Sequence, residues 1–299
     1  MNLIIDENIA FAQEAFSHFG KAILVNGHSL TNKNLKDADA LIIRSITRID
    51  KGLLRNSKVK FVGTATIGTD HIDLDYLHSK NISFADAKGC NADSVVEYVF
   101  TALLKIAAER NISLKEKSIG VVGVGNIGSR VVRLAESLGM KVLKNDPPLE
   151  RNRIGKNYVS LDELLNVDII TLHVPLSFEG KVNGTKMIYD ALCKFHNIKP
   201  TWQPELPPIE RKNLQLSDGK SDEEKLYKLF SALCDIEKDD IRLREISKYK
   251  LNEQADYFDL LRKTYPVRRE FSNYSVLLSE KEKRLERILE SFRFKVKMN

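Results

Sequence analysis

Residues 118–128 read SIGVVGVGNIG, a run of small and apolar residues that ends in three closely spaced glycines. Residues 118–124 are almost continuously apolar, which predicts a buried strand of a parallel sheet. Residues 127–138 then carry apolar side chains at helical spacing, so the glycines fall where a strand ends and a helix begins. This order of strand, glycine turn and helix predicts an α/β fold, because it is the first half of a βαβ unit.

Each of the three glycines has a separate physical purpose in such a turn. Gly123 permits the tight turn, Gly125 lets a ligand approach the backbone, and Gly128 lets the helix pack closely on the strand. The amino terminus of the helix then faces the ligand, which favours a pyrophosphate. The pattern therefore predicts a dinucleotide site; the alternative is a glycine turn in an unrelated α/β protein.

Asp146 adds a second signal, because it follows Gly128 by eighteen residues and comes shortly after the second predicted strand, residues 141–143. A carboxylate there can bind both ribose hydroxyls and repel a 2′-phosphate, so the sequence predicts NAD rather than NADP. Residues 161–165 predict a short helix, and residues 167–173 predict a third strand. Together these segments predict half of a doubly wound sheet.

The amino-terminal part alternates short apolar runs with polar amphipathic stretches, which predicts a parallel sheet with helices between its strands. Residues 94–108 are apolar on nearly all sides and predict a buried helix. Four of the eight prolines lie between residues 200 and 208, which predicts a domain boundary before a charged, helical carboxyl-terminal part. The predicted amino-terminal strands are residues 3–5, 22–25, 40–44, 59–63 and 82–85.

The composition of the chain excludes several classes of protein. A length of 299 residues with 42% hydrophobic content suits two or three domains. The formal charge of +6 comes from 47 basic residues scattered among 41 acidic ones, so we expect no nucleic-acid partner. No run of about eighteen apolar residues predicts a membrane span, and the amino terminus lacks the pattern of a signal peptide. Cys90, Cys193 and Cys234 are widely spaced, which predicts reduced thiols in a cytoplasmic protein and no metal site.

Four motifs connect the chain to a known family. They are GTATIGTDHID at residues 63–73, GCNADSVVEYVF at residues 89–100, the glycine turn, and NDPP at residues 145–148. With them the chain resembles the D-2-hydroxyacid dehydrogenase superfamily, and within it the erythronate-4-phosphate dehydrogenase family. Members of that family oxidise 4-phospho-D-erythronate with NAD on the route to pyridoxal phosphate. The likeness continues in EGKVNGT at residues 179–185 and LRKTYPVRREFS at residues 261–272.

The resemblance implies an α/β protein that forms a homodimer and has three parts. It implies a flavodoxin-like substrate domain at residues 1–92 and 177–200, an abbreviated NAD-binding Rossmann domain at residues 93–176, and an α+β dimerisation domain at residues 209–299.

The resemblance also implies roles for individual residues. Ser45 and Thr66 would contact the substrate, with Arg44 beside them, and an arginine with hydroxyls suits an anionic phospho-hydroxy-acid. The alternative for Arg44 is an ordinary surface ion pair. Asn126 and Ile127 would lie against the pyrophosphate, and Val174 would meet the nicotinamide side through its backbone.

One segment of the family pattern is missing. In the family, the stretch that corresponds to residues 173–176 leads into the other half of the nucleotide-binding sheet before the EGK motif. Here Ser177 and Phe178 alone separate the two. They stand where roughly eighty residues would be, or between two and three βα units. The family's catalytic arginine, glutamate and histidine lie in that stretch, so no catalytic residue can be mapped in this chain.

The missing groups matter because removing a hydride from a carbinol carbon needs a base for the hydroxyl proton and a cation for the carboxylate. None of the six histidines has a flanking motif that marks a base. His173 is expected near the cofactor, but a structural role is the better interpretation, and we do not assign it to catalysis.

Three functions remain open at this point. The sequence favours a relative that keeps the dimer scaffold and part of the nucleotide site but has lost the reaction. The others are an active dehydrogenase with replaced catalytic groups, and a dimeric scaffold that binds no nucleotide. In each case the missing half-sheet would expose the apolar edge of residues 118–124. We therefore expect this strand to be covered by the helix at residues 181–195, by a repositioned element or by a partner subunit.

Overall fold

The structure is a computed structural model that describes residues 1–150, 157–170, 178–210, 212–279 and 282–298. The chain divides into two compact units. The first consists of Met1–Asn91 with Phe178–Pro208, and the second of Ala92–Ser177 with Ile209–Asn299. Helices alternate with parallel strands in both units, which confirms the predicted α/β class.

The strands of the described residues are short and belong to three sheets. They are β1 (Asn2–Asp6), β2 (Lys21–Val25), β3 (Ala40–Ile43), β4 (Phe61–Thr64), β5 (Ser83–Asp86), β6 (Ser118–Val122), β7 (Lys141–Asn145), β8 (Ile169–Ile170), β9 (Asn213–Gln215), β10 (Ser275–Leu278) and β11 (Lys295–Met298).

The helices of the described residues include two of 18 residues, α4 and α8. They are α1 (Ala12–Phe16), α2 (Lys51–Leu54), α3 (Leu74–Ser79), α4 (Ala92–Glu109), α5 (Gly128–Ser137), α6 (Pro147–Glu150), α7 (Leu161–Leu164), α8 (Phe178–Phe195), α9 (Asp222–Ser231), α10 (Ile236–Arg244), α11 (Gln254–Lys263) and α12 (Lys283–Ser291).

The sheet of the first unit has five parallel strands in the order β2-β1-β3-β4-β5. This is the flavodoxin-like order that the family resemblance implies. Leu3 and Ile5 pack with residues of α1 and α8 on one face, whereas Ile4 belongs to a second cluster on the other face. Both faces are therefore covered, which explains why the strands read as continuous apolar runs.

Helix α8 packs against this sheet through unusually close approaches. A Cβ added to Gly63 in β4 would lie 2.5 Å from Cγ2 of Ile188. A Cβ added to Gly184 would lie 2.6 Å from the carbonyl oxygen of Ala65. Thr185 then donates from Oγ1 to the carbonyl oxygen of Ala10 at 2.7 Å. The glycine and threonine of the EGKVNGT motif thus place α8 beside the carboxyl end of β4.

In the second unit, strand β6 lies in the middle of the parallel sheet β7-β6-β8. It pairs with β8 at Ile119 and Gly120. The predicted third strand at residues 167–173 is present in its described part as β8. In the order 3-2-1-4-5-6 of a doubly wound sheet a third strand would lie beyond β7, but β8 lies on the other side of β6, where the fourth strand belongs. The place beyond β7 is taken by Tyr158, which forms a single bridge with Lys144. A one-residue bridge has no periodicity, so the sequence pattern does not reveal it.

Strand β6 is consequently paired on both sides at Ile119 and Gly120. The expected cover is thus provided by a strand in a position other than the predicted one. A Cβ added to Gly120 would lie 2.5 Å from Cδ2 of Leu164, so α7 also packs directly on this strand. Removal of the second half-sheet does not leave this part of β6 as an open edge.

The carboxyl-terminal residues add a second parallel sheet to this unit, in the order β11-β10-β9. Strand β11 is its edge and carries Lys295 and Lys297, which discourages further pairing. The predicted buried helix is α4, and side chains from α4, β6 and α5 join those of α9, β10 and α12 in one hydrophobic cluster. Residues 209–299 therefore share a core with Ala92–Ser177.

A layer of buried polar groups connects α4 with residues 268–271. Ser94 donates from Oγ to Oε1 of Glu270 at 2.8 Å, and the N–H of Phe271 donates to Oε1 of Glu97 at 2.8 Å. Oε2 of Glu97 is buried without a hydrogen-bond partner among the described residues. Burial raises the pKa of Glu97 well above its ordinary value of 4.5, and nearby Arg268 opposes this shift.

We expect Gly184→Ala to lower the free energy of unfolding by about 1–2 kcal/mol, because the added methyl group meets a backbone oxygen that cannot rotate away. Urea denaturation measures the change. Met187→Ala, on an exposed position of the same helix, is the control and should stay within about 0.5 kcal/mol of the wild type. An equal stability for Gly184→Ala and the wild type would show that α8 does not sit this close to Ala65.

The raised pKa of Glu97 predicts a pH dependence of stability. The folded state holds a proton on Glu97 that the unfolded state releases above about pH 4.5, so the free energy of unfolding should fall as the pH rises from there towards the raised pKa. This contribution should disappear in Glu97→Gln. It should persist in Glu109→Gln, an exposed carboxylate of the same helix. Denaturation series at several pH values measure it, and parallel curves for Glu97→Gln and the wild type would contradict the assignment.

Candidate functional site

The glycine turn between β6 and α5 has the geometry that the sequence predicts for a nucleotide site. Gly123 has a φ of 80°, which favours glycine, and its N–H donates to the carbonyl oxygen of Asn145 at 2.8 Å. A Cβ added to Gly128 would lie 1.9 Å from the carbonyl oxygen of Gly123. Gly128 is therefore required for the close approach of α5 to the turn.

Gly125, in contrast to Gly128, has free space around its Cα atom. A Cβ added to it would meet nothing within 4 Å, so the turn is open at this position. Helix α5 begins three residues later, and its N-cap residue Ile127 makes no side-chain capping hydrogen bond. An open glycine beside an uncapped helix amino terminus gives a phosphate both space and a favourable dipole.

Asp146 lies beside the turn, at the end of the neighbouring strand. Its Oδ2 accepts the N–H of Val124 at 2.7 Å, and its Oδ1 accepts the N–H of Leu149 at 3.1 Å. Each carboxylate oxygen has a further lone pair, so both can still accept a ribose hydroxyl. The two backbone bonds orient the carboxylate and connect the turn to α6.

Two further residues of the predicted cofactor site, Asn126 and Ile127, lie in the turn before α5. The carbonyl oxygen of Asn126 accepts Nη1 of Arg130 at 2.6 Å, and Ile127 directly precedes α5. Val174 lies outside the described residues, and so does His173. The structure thus brings Gly123, Gly125, Asn126, Ile127, Gly128 and Asp146 together at the carboxyl end of β6 and β7.

The predicted substrate residues lie at the carboxyl ends of strands in the first unit. Arg44 and Ser45 follow β3, and Thr66 follows β4. Ser45 is exposed and Thr66 is partly buried. Because β3 and β4 are adjacent and parallel, these residues share one edge of the sheet, which is the usual place for a ligand in such folds.

Arg44 is held by a residue that sequence reasoning did not assign to the site. Its Nε lies 3.1 Å from Oδ1 of Asp6, whose side chain is 1% exposed. The direction is unsuitable for a hydrogen bond, and among the described residues Nε of Arg44 and Oδ2 of Asp6 are buried without a hydrogen-bond partner. Asp6 ends β1, the strand next to β3, so its position at a parallel strand end was the available signal.

A second missed residue is His71, which extends a row of hydroxyl groups behind Thr66. Oγ1 of Thr66 lies 2.9 Å from Oγ1 of Thr64, which in turn lies 3.3 Å from Nε2 of His71. Burial lowers the pKa of His71 below its ordinary value of 6.5, and the charge of Asp70 opposes this shift. The neutral imidazole can accept or donate in this row, depending on its tautomer.

The ranges that the structure describes contain neither a cluster of metal ligands nor a membrane-spanning helix. No group of three or more His, Cys, Asp or Glu side chains there is arranged to hold a metal ion. No helix there is long and apolar enough to cross a membrane.

Comparison with known proteins gives a consistent family match. The model of the D-isomer specific 2-hydroxyacid dehydrogenase family, catalytic domain, matches residues 3–290. An erythronate-4-phosphate dehydrogenase of Marinomonas sp. is 33% identical, over 94% of this chain and 96% of that protein. Another, from Marinobacter nauticus, is 32% identical over 100% of both chains. These matches confirm the family resemblance.

The solved structures cover less of the chain. The NAD+-bound 3-phosphoglycerate dehydrogenase of Entamoeba histolytica is 28% identical over 60% of this chain and 64% of that one, with a TM-score of 0.46. This chain therefore spans under two thirds of that structure.

The alignment with the Marinobacter nauticus protein also shows a difference in length. It covers the whole of both chains but has 384 positions, 85 more than the 299 residues present here. Since both ends are aligned, the additional positions lie within the relative's sequence. Their number agrees with the internal gap inferred from the motifs.

The contrast between Gly125 and Gly128 gives a paired test of the turn. Gly128→Ala should lower the free energy of unfolding by about 1–3 kcal/mol, because α5 must move away from the Gly123 carbonyl. Gly125→Ala should leave stability within about 0.5 kcal/mol but weaken dinucleotide binding at least roughly tenfold, because its methyl group occupies the ligand's side. Urea denaturation and calorimetric titration measure the two effects. Equal destabilisation by both variants would contradict an open Gly125.

Proposed function

We propose that this chain binds NAD mainly through the adenosine side of the dinucleotide and does not carry out the dehydrogenase reaction. The chain belongs to the D-isomer specific 2-hydroxyacid dehydrogenase family. Its relatives are named erythronate-4-phosphate dehydrogenases. It is thus a nucleotide-binding relative of an NAD-dependent enzyme of pyridoxal phosphate synthesis, with the reaction itself lost or severely impaired.

The observation that carries this proposal is the short connection between β8 and α8. Residues 171–177 alone separate Ile170 from Phe178, whereas the second half of a doubly wound sheet needs two or more βα units of about thirty residues each. Seven residues cannot contain even one such unit. The described residues therefore contain no site of the usual kind for the nicotinamide side of the dinucleotide, which that half would hold.

The same gap removes the expected chemistry. By the resemblance, the catalytic arginine, glutamate and histidine belong to the missing stretch. His173 is the one histidine in the sequence of the second unit, and it lies outside the described residues. The turn and Asp146 can hold ribose and phosphate groups, but neither supplies a base and a cation for hydride transfer.

A second candidate function, an active dehydrogenase with a replaced base, is favoured by one observation. His71 connects through Thr64 to Thr66, a proposed substrate residue, and its lowered pKa keeps it neutral near pH 7. A neutral imidazole can accept a proton, so His71→Asn would abolish any turnover in this case. We rank this function second because the part of the chain that the structure describes offers no counterpart of the cation that would bind the carboxylate beside the nicotinamide.

The substrate edge supports binding of a small anionic hydroxy acid. Arg44 provides positive charge, and Ser45 and Thr66 provide hydroxyl groups at the same sheet edge. We include 4-phosphoerythronate as the ligand class, because the aligned relatives carry that name.

We further propose that the protein is a cytoplasmic homodimer that associates through residues 209–299. Large apolar side chains of this part are exposed, with Leu251 86% and Ile241 62% exposed. An interface through this part would remove such side chains from water, which favours association. Cys193 and Cys234 are buried thiols outside any disulfide, which suits a reducing compartment. Sedimentation equilibrium tests the dimer.

Titration calorimetry with NADH, ADP-ribose and nicotinamide mononucleotide tests the proposed function. We expect NADH and ADP-ribose to bind within about threefold of each other, because the nicotinamide side adds little, and nicotinamide mononucleotide not to bind. Asp146→Asn should weaken ADP-ribose binding about tenfold, through the lost charge at the ribose. Glu150→Gln, on the exposed end of α6, is the matched control.

Turnover is then measured with NAD and 4-phosphoerythronate by NADH formation, with the Marinomonas relative as a positive control. No NADH should form above the rate without protein. Steady turnover that requires His71 would select the second candidate. Failure of every nucleotide to bind would leave a dimeric scaffold and refute the proposal.

A further inference from the structure

Asp93, in the first turn of α4, joins two arginines from distant parts of the chain. Its Oδ1 lies 2.8 Å from Nε of Arg130 in α5, and its Oδ2 lies 2.8 Å from Nη1 of Arg293. Arg293 lies between α12 and β11, in the carboxyl-terminal part. One carboxylate thus receives one cation from the helix of the glycine turn and another from residues 209–299.

Arg130 reaches the glycine turn with its other end. Its Nη1 donates to the carbonyl oxygen of Asn126 at 2.6 Å. The peptide between Asn126 and Ile127 is planar and trans, so its carbonyl and its N–H point in opposite directions. By holding the carbonyl, Arg130 sets the direction of the Ile127 N–H, which is one of the proposed phosphate donors.

Arg293, like Arg130, has further polar contacts besides the one with Asp93. Its Nη2 lies 3.0 Å from Oε2 of Glu270, and the same nitrogen is 3.9 Å from Oε1 of Glu97. Its φ of 69° lies in the left-handed region, where glycine is usual after a helix end. Arginine at such a position suggests that its side chain, which lies within 4 Å of three acidic side chains, has a role that glycine could not fill.

We propose that Arg293 is a positioning residue for the nucleotide turn, acting through Asp93 and Arg130 on the Asn126 carbonyl. The proposal rests on the proposed nucleotide function of the turn. It makes the affinity for the phosphates depend on the conformation of the carboxyl-terminal part, because both are joined at one carboxylate. A change there that withdraws Arg293 lets Asp93 and Arg130 reorient and releases the turn.

Two measurements on the full chain test this proposal. Hydrogen exchange of the amides of residues 124–128 reports the order of the turn without ligand, and calorimetry reports the affinity for ADP-ribose. We expect Arg293→Met and Arg130→Met each to speed exchange and to weaken binding about 3- to 10-fold. The double variant should be no more than about twofold weaker than the weaker single variant, because both act through Asp93.

Three further variants separate positioning from general stability. Lys105→Met, also in α4, removes the ion pairs of Lys105 with Glu237 and Glu109. It should change neither the hydrogen exchange of residues 124–128 nor the affinity for ADP-ribose. Arg293→Lys keeps the charge and should restore most of the affinity. Asp93→Asn, at a side chain that is 24% exposed, should reproduce the effect of Arg293→Met, and it serves as the test if Arg293→Met does not fold.

The outcomes decide the matter in either direction. Unchanged exchange of residues 124–128 in Arg293→Met, or additive effects of the two arginine variants, overturns the proposal. Faster exchange with non-additive loss of affinity supports it. If the wild type binds no nucleotide, the proposed function fails, but the exchange measurement still decides whether Arg293 orders the turn.

Discussion

Helix α5 can approach strand β6 only because Gly128 has no side chain: a Cβ there would lie 1.9 Å from the carbonyl oxygen of Gly123. This approach puts the amino terminus of α5 at the carboxyl end of the sheet. It also brings the backbone of Val124 within 2.7 Å of Asp146. The nucleotide proposal depends on this contact, because phosphate and ribose groups are recognised by what meets at that point.

The same unit shows that a doubly wound sheet can lose its second half without losing its core. Strand β8 pairs with β6 at Ile119 and Gly120, and α4 contributes to a hydrophobic cluster shared with α9 and α12. Apolar burial is therefore maintained by elements on both sides of the gap. Catalysis requires specific side chains at specific positions, and a well-packed hydrophobic core does not supply them.

The polar contacts of the second unit act on position more than on stability. The side chains of Arg130, Asp93 and Arg293 are 32%, 24% and 37% exposed, so solvent screens their attraction and limits its contribution to folding. Their geometry nevertheless fixes a backbone carbonyl of the turn. Glu97 is different, because its burial costs free energy once it is charged, and the cost is reduced but not removed by its neighbours.

The sequence by itself determined the features that are local: the five strands of the first sheet, the buried helix α4, the glycine turn with Asp146, and the missing stretch before α8. Each depends on residue type at short spacing, which the order of residues displays directly. Tertiary structure alone decided the features that join distant segments, because no periodicity encodes which strand ends or charged groups will meet. These are the position of β8 beside β6, the ion pair of Arg44 with Asp6, the row from Thr66 to His71, and the meeting of Arg130 and Arg293 at Asp93.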